Sequence, residues 1–212
     1  MSLIGNRRST ILMYSDADSM SWAGLCSHRV RLVLSEKDII AEIVSVAEGE
    51  ADEDLLQLNP RGGCPTLVDR DLALYDARVI IDYLDERYPH PPFMPIDPVS
   101  RARTRLALYR IEADWYNLLP NAPAQTNTAA ESGKALTESL VAANDVFAAM
   151  PFFFSEEYSI LDATLAPLLW RLPAYGILLP ESASAINQYA QRMFARPGFI
   201  ASLTNAERDM VQ

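Results

Sequence analysis

Apolar positions change their spacing partway along the chain. In the first ninety residues they form short runs separated by polar turns; after residue 98 they recur every three or four positions. The run Ser9 to Ser15 is apolar and bounded by polar residues, which predicts a first buried strand. Asp16 to Ser27 reads as a polar loop. Val30, Leu32, Val33 and Leu34 then arrive with helical spacing among charged residues, predicting a first helix with Ser27 as its N-cap. Glu42 to Val46 is β-branched and alternating, and Asp52 to Leu58 reads as a short acidic helix. Gly63 to Asp69 and Leu72 to Tyr75 are two apolar runs around a polar turn at Asp69 to Asp71, a β-hairpin with Pro65 at its head. Asp76-Ala77-Arg78 leads into a helical run from Val79 to Arg87.

Five prolines between Pro89 and Pro98 forbid regular helix or central strand and mark a boundary. Beyond it no stretch reads as a strand. Val99 to Leu119 is expected to be one long helix with two apolar stripes, Ala102, Leu106, Tyr109, Ala113 and Tyr116 on one and Leu108, Ile111, Trp115 and Leu119 on the other. Two stripes imply packing on two sides, hence a homodimer through this helix and the one after Asp76. Pro120 to Ser132 reads as a loop, and Leu136, Leu140, Ala143 and Phe147 share the face of the next helix. Ser159-Ile160-Leu161-Asp162 fits a capping box at the start of a central helix in which Pro167 implies a kink or early turn. Ile186, Ala190, Met193 and Phe194 outline a last main helix, ended near Arg196-Pro197-Gly198. The element order predicts an α+β, thioredoxin-like domain over residues 1–88, a proline-rich linker over 89–98 and an all-α domain over 99–212.

Composition narrows the function classes. No run approaches the ~18 apolar residues of a membrane span and Met1 to Arg8 lacks the pattern of a secretory signal, so a cytoplasmic protein with no membrane contact is expected. The net charge of −10 argues against direct nucleic-acid binding. The two cysteines, Cys26 and Cys64, are too far apart for a Cys-x-x-Cys pair, and no metal site is expected.

Several segments together carry a resemblance: Asn59-Pro60, Pro65-Thr66-Leu67-Val68-Asp69, Tyr83-Leu84-Asp85-Glu86-Arg87, Pro89-His90-Pro91-Pro92, Ile111-Glu112-Ala113-Asp114-Trp115-Tyr116 and Leu165-Ala166-Pro167-Leu168-Leu169-Trp170-Arg171-Leu172-Pro173. They cover nearly the whole chain, which resembles the stringent starvation protein A family within the glutathione-transferase superfamily. The resemblance implies an RNA polymerase holoenzyme as partner, a role in transcription during starvation or stationary phase, and Pro89-His90-Pro91, with Tyr88 beside it, as the contact surface.

It also implies a glutathione pocket at Cys64, Pro65, Asp76 and Ala77, which this sequence carries in altered form. The superfamily pairs an acid with a serine at the γ-glutamyl site; here the acid is followed by Ala77, which has no hydroxyl. Among Tyr14, Ser15, Ser21, Cys26 and Ser27 near the first helix, Cys26 and Ser27 are the alternative catalytic candidates, but Cys26 is out of register with the family's cysteine position. Glutathione as a cofactor is therefore expected to be absent or weak, and the protein is expected to be no enzyme. The rival expectation is a glutathione transferase or thiol reductase. Glu112 and Tyr116 are expected on one helix face, packing in the core or an interface.

Overall fold

In the computed structural model, which describes residues 10–47, 49–50, 53–123 and 128–210, four strands form one mixed sheet in the order β2-β1-β3-β4. β1 (Ile11–Asp16) pairs parallel with β2 (Ala41–Val46), Met13 opposite Ile43, and antiparallel with β3 (Thr66–Asp69), Met13 opposite Leu67. β4 (Leu72–Tyr75) closes the expected hairpin, with Arg70 at φ +58° in its turn. Period-2 alternation divides β1 between two layers. Ile11 and Met13 join the main core, whereas Leu12 and Tyr14 form a smaller cluster with Leu55. α1 (Trp22–Glu36) and α3 (Ala77–Arg87) pack together in the main core, and α2 (Glu53–Leu58) brings Leu55 to the other cluster.

α1 begins earlier than its sequence pattern predicts. Ser21, not Ser27, is the N-cap, accepting a bond from the Gly24 amide at 2.8 Å. The loop before it folds back so closely that a Cβ at Gly24 would lie 2.0 Å from the Asp18 carbonyl oxygen, so only glycine fits. Ser27 is buried inside the helix and accepts from the Asp16 amide at 3.1 Å. Polar residues on the buried face, Ser27, His28, Arg29 and Arg31, hide the first turns from a reading based on apolar periodicity.

α4 (Pro98–Asp114) starts on the residue expected to end the linker, with Asp97 as N-cap, and stops five residues short of Leu119. Tyr116–Leu118 is a 3-10 turn. α5 (Ala129–Ala142) opens with a Thr128–Glu131 capping box inside the expected loop, and a break at Ala143 separates α6 (Asn144–Ala149), so Leu140 and Phe147 lie on two helices. α7 (Ile160–Arg171) is the central helix, and Ser159 and Asp162 form the expected capping box. The helix carries Pro167 without ending early. The Asp162 carboxylate also accepts from the Phe153 amide and the Tyr189 hydroxyl, binding the preceding loop and α8 (Ser184–Phe194) to this point.

Two short helices lie beyond the expected last one. α9 (Pro197–Ser202) packs on α1, and α10 (Asn205–Asp209) is closed by a Thr204–Glu207 capping box. Glu207 is fully buried and reaches the first domain. It ion-pairs with Arg31 at 2.7 Å and with Arg171, while Arg171 also donates to His28 Nδ1 at 2.9 Å. Nδ1 therefore acts as acceptor, and Nε2–H donates to Ser202 Oγ at 3.1 Å. Burial holds the His28 pKa well below 6.5, against the pull of Glu207, so the ring is neutral.

Candidate functional site

Two places answer the expectations about function: a cleft where the domains meet, and the proline-rich segment on the rim of the first domain. The cleft, about 430 Å³, is lined by Trp22, Cys26 and Arg29 of α1, Cys64 and Pro65 before β3, Asp76 to Arg78 at the head of α3, and Tyr109, Glu112 and Tyr116. The fold thus brings Cys26, Cys64, Pro65, Asp76 and Ala77 together. Ser27 is not among them, because it faces the strand side of α1. The Cys64–Pro65 peptide is cis, and Asn59 shapes the loop before it by donating to Gly63 O and Thr66 Oγ1.

Charges fill much of the cleft wall. Glu112 spans it, with Arg29 at 3.1 Å on one carboxylate oxygen and Arg78 at 3.4 Å on the other. Arg78 also pairs with Asp76 at 3.0 Å. Asp76, at φ +77°, caps α3 by accepting from the Arg78 amide at 2.9 Å. Burial pushes its carboxyl upward, but the Arg78 bonds outweigh burial and hold it below its ordinary value. Glu112 thus lines the cleft rather than packing in the core of the chain. Tyr116 lies beyond the end of α4, beneath the Arg29 guanidinium, and donates to Thr164 O at 2.6 Å.

Electrostatics disfavour the thiolate form at both cysteines. Burial pushes Cys26 up to about 11, with Asp76 and Glu112 adding to the rise and Arg29 opposing it. Cys64 is raised to about 11 by burial and by Asp16. The thiolate is the nucleophile in thiol chemistry, so both side chains are almost wholly in the inert form at neutral pH. The remaining hydroxyl candidates are also occupied: Tyr14 is buried, Ser15 accepts from Arg31 at 2.6 Å, and Ser21 caps α1. Ala77 is buried at the first turn of α3, where it offers a methyl group.

The second place is built differently. Pro89, His90, Pro91 and Pro92 are exposed, Tyr88 is half-buried, and Phe93 and Met94 turn into the core. Under this knuckle lies Lys37, at the C-terminus of α1, its side chain fully buried. Its ammonium pairs with Asp85 at 2.8 Å, donates to Tyr88 O at 2.8 Å and Pro91 O at 2.6 Å, and sits 4.4 Å over the Phe93 ring. Asp85 in turn accepts from the Phe93 and Met94 amides at 2.9 and 3.1 Å. No periodicity marks Lys37; a lone lysine at a helix end reads as solvated, and only the fold brings it beneath the prolines.

Comparison with known proteins fits this architecture. The family model for the glutathione S-transferase N-terminal domain matches residues 23–92, and that for the C-terminal domain matches residues 106–197. The chain is 44% identical over 207 residues to the stringent starvation protein A homolog of Pasteurella multocida, covering 96% of this chain and 94% of the relative. With the stringent starvation protein A homolog of Haemophilus influenzae the identity is 42% over 208 residues, covering 97% and 96%. Glutathione S-transferase Z2 of Arabidopsis thaliana is 31% identical over 164 residues, 69% of this chain and 71% of that one. Among solved structures, a glutathione S-transferase from the Antarctic clam Laternula elliptica superposes with a TM-score of 0.79 at 22% identity, over 95% of both chains.

Proposed function

Because the chain belongs to the stringent starvation protein A family of the glutathione-transferase superfamily, we propose that it is a cytoplasmic, non-catalytic transcription regulator that docks on RNA polymerase holoenzyme during starvation or stationary phase. The observation that carries this reading is the Pro89-His90-Pro91-Pro92 knuckle, exposed yet fastened to a buried base. A segment already held in one shape loses little conformational freedom on binding, which favours docking. The cleft supports the non-catalytic half: its thiols are pushed far above neutral and Ala77 lacks the hydroxyl that would receive a γ-glutamyl group. Among the described residues no helix is long and apolar enough to cross a membrane.

The functional unit in this reading is a homodimer. Of the two stripes expected over Val99 to Leu119, Ile111, Trp115 and Leu119 are buried within the chain, as is Tyr116 of the other, whereas Leu106 and Tyr109 on α4 stay 60% and 69% exposed, with Val79 of α3 49% exposed. Sedimentation at micromolar concentration should give a dimer, and a monomer there would overturn this part of the reading.

The test of docking is the triple substitution Pro89→Ala, His90→Ala and Pro91→Ala, assayed by thermal melting beside holoenzyme binding and transcription. Binding and activation should fall at least about tenfold, while the melt stays within about 0.5 kcal/mol of the original, as for other exposed positions. An unchanged melt with unchanged activation would make the knuckle a mere connector. The rival reading, a thiol-dependent glutathione enzyme, draws on the open cleft with Cys26 beside cis-Pro65. Turnover of electrophiles with glutathione, abolished by Cys26→Ala, would establish it.

A further inference from the structure

The backbone of the knuckle has an unusual inventory of hydrogen-bonding groups. Pro89, Pro91 and Pro92 have no N–H, so across residues 89–92 the His90 amide is the only main-chain donor. Two carbonyls of the segment, those of Tyr88 and Pro91, turn inward to the Lys37 ammonium. Addition of a partner strand requires a regular row of donors and acceptors along one edge. This stretch cannot present one. What it presents outward is prolyl ring surface and the imidazole of His90.

We propose that Lys37 and Asp85 form a clamp that moulds this segment into a preformed docking element, and that the partner reads it by side chains alone. The complementary surface would offer an aromatic or apolar face for the prolyl rings and a hydrogen-bonding side chain for His90. The inference rests on the polymerase-docking reading above and adds how the contact surface is made. The clamp acts from inside: Lys37 is fully buried and touches no partner, so it is a positioning residue. Its four interactions converge on the segment from different directions, two on carbonyl oxygens, one on Asp85 and one on the Phe93 ring. Asp85 extends the hold to the amides of Phe93 and Met94, and the Phe93 carbonyl accepts from the Ile160 amide at 3.1 Å. The segment is thereby joined to α1, α3 and α7 at once.

The experiment compares the original protein, Lys37→Met and Lys37→Arg, each as the full chain, by amide hydrogen exchange and by titration with purified polymerase holoenzyme. Lys37→Met should speed exchange at Phe93 and Met94 at least about tenfold relative to the Tyr189 amide in the distant helical core. It should also weaken holoenzyme binding by about tenfold or more, as loss of preorganisation raises the ordering cost of docking. Lys37→Arg keeps a cation above Asp85 and should recover much of both. Should Lys37→Met fail to fold, Asp85→Asn removes the charge while keeping size, and the same two measurements apply. Unchanged exchange, or faster exchange with unchanged binding, would overturn the clamp. If the original protein itself does not bind holoenzyme, the docking reading falls and takes the docking role of the clamp with it; the exchange result then separates a structural clamp from none.

Discussion

The cleft and the knuckle are made from the same materials, cationic side chains set against carboxylates, but in opposite arrangements. In the cleft Arg78, Asp76 and Glu112 are partly exposed to solvent and, with the buried Arg29 behind Glu112, occupy the wall where a ligand would lie. Under the knuckle the charges of Lys37 and Asp85 are buried, and the surface above them is left bare. A partner meeting the knuckle need not break any of these pairs, whereas a small molecule entering the cleft must compete with Glu112 for both arginines. On the proposed reading, the pocket of a transferase fold persists as shape while the place of contact lies on a rim loop. α1 serves both, with Cys26 and Arg29 on the cleft and Lys37 at its far end.

The largest effect should come from the frame shared by both regions. Glu207→Gln leaves the buried guanidinium groups of Arg31 and Arg171 without their carboxylate and should cost about 3–5 kcal/mol in chemical unfolding. A loss under 1 kcal/mol would mean that neither region depends on this tie. The same frame sets an acid dependence. Burial alone would raise the Glu207 carboxyl, but the Arg31 and Arg171 guanidinium groups and the Thr204 amide outweigh burial and hold it below its ordinary 4.5. Its contribution is therefore complete above pH 4.5 and is lost as pH falls toward 2. His28, held neutral, gives stability that is present above pH 6.5 and declines as pH falls below it, because the unfolded chain then takes up a proton that the folded one refuses. Melts across pH 8 to 3 should show both phases, and His28→Gln should remove the upper one.

Next in size is the cleft. Ala77→Ser supplies a hydroxyl at the head of α3 and should tighten glutathione binding by roughly tenfold to a hundredfold, the worth of one hydrogen bond to a charged group. Calorimetry would read the affinity, and a conjugation assay should stay at background because Cys26 remains a thiol at about 11. Turnover in that variant would erase the contrast between the two regions. The smallest effect belongs to the thiol itself: Cys26→Ala should leave holoenzyme binding unchanged and shift stability by no more than about 1 kcal/mol, since its side chain is only half-buried.

Much of this architecture is written locally. The hairpin follows from two apolar runs around Asp69 to Asp71, and the Ser159–Asp162 box marks the central helix three residues before its apolar run. Three departures from this local reading share one cause, charge placed inside. His28, Arg29 and Arg31 disguise the start of α1, Lys37 carries no sign of burial, and Glu112 reads as a packing position although Arg29 and Arg78 flank it in the fold. Each becomes legible only when its partner arrives from 34 or more positions away, as Asp85 does for Lys37. α9 and α10 escape a reading by periodicity for a different reason. They are six and five residues long, too short for periodicity, although Thr204 and Glu207 are spaced as a capping box.

The tie between Arg31 and Glu207 spans 176 positions, and this has a consequence for how the protein comes into being. At a synthesis rate of roughly 5–20 residues per second, the first domain waits on the order of ten to thirty-five seconds before the carboxylate that neutralises its interior arginine has been made. Through that interval α1 has its sheet but not its counter-ion, and Arg171 is in the same position for the last 36 residues of the wait. The proline knuckle and the cleft, both hung on α1, would then acquire their final rigidity late and together, so that the docking proposed for the knuckle would have to wait until nearly all of the chain has emerged from the ribosome.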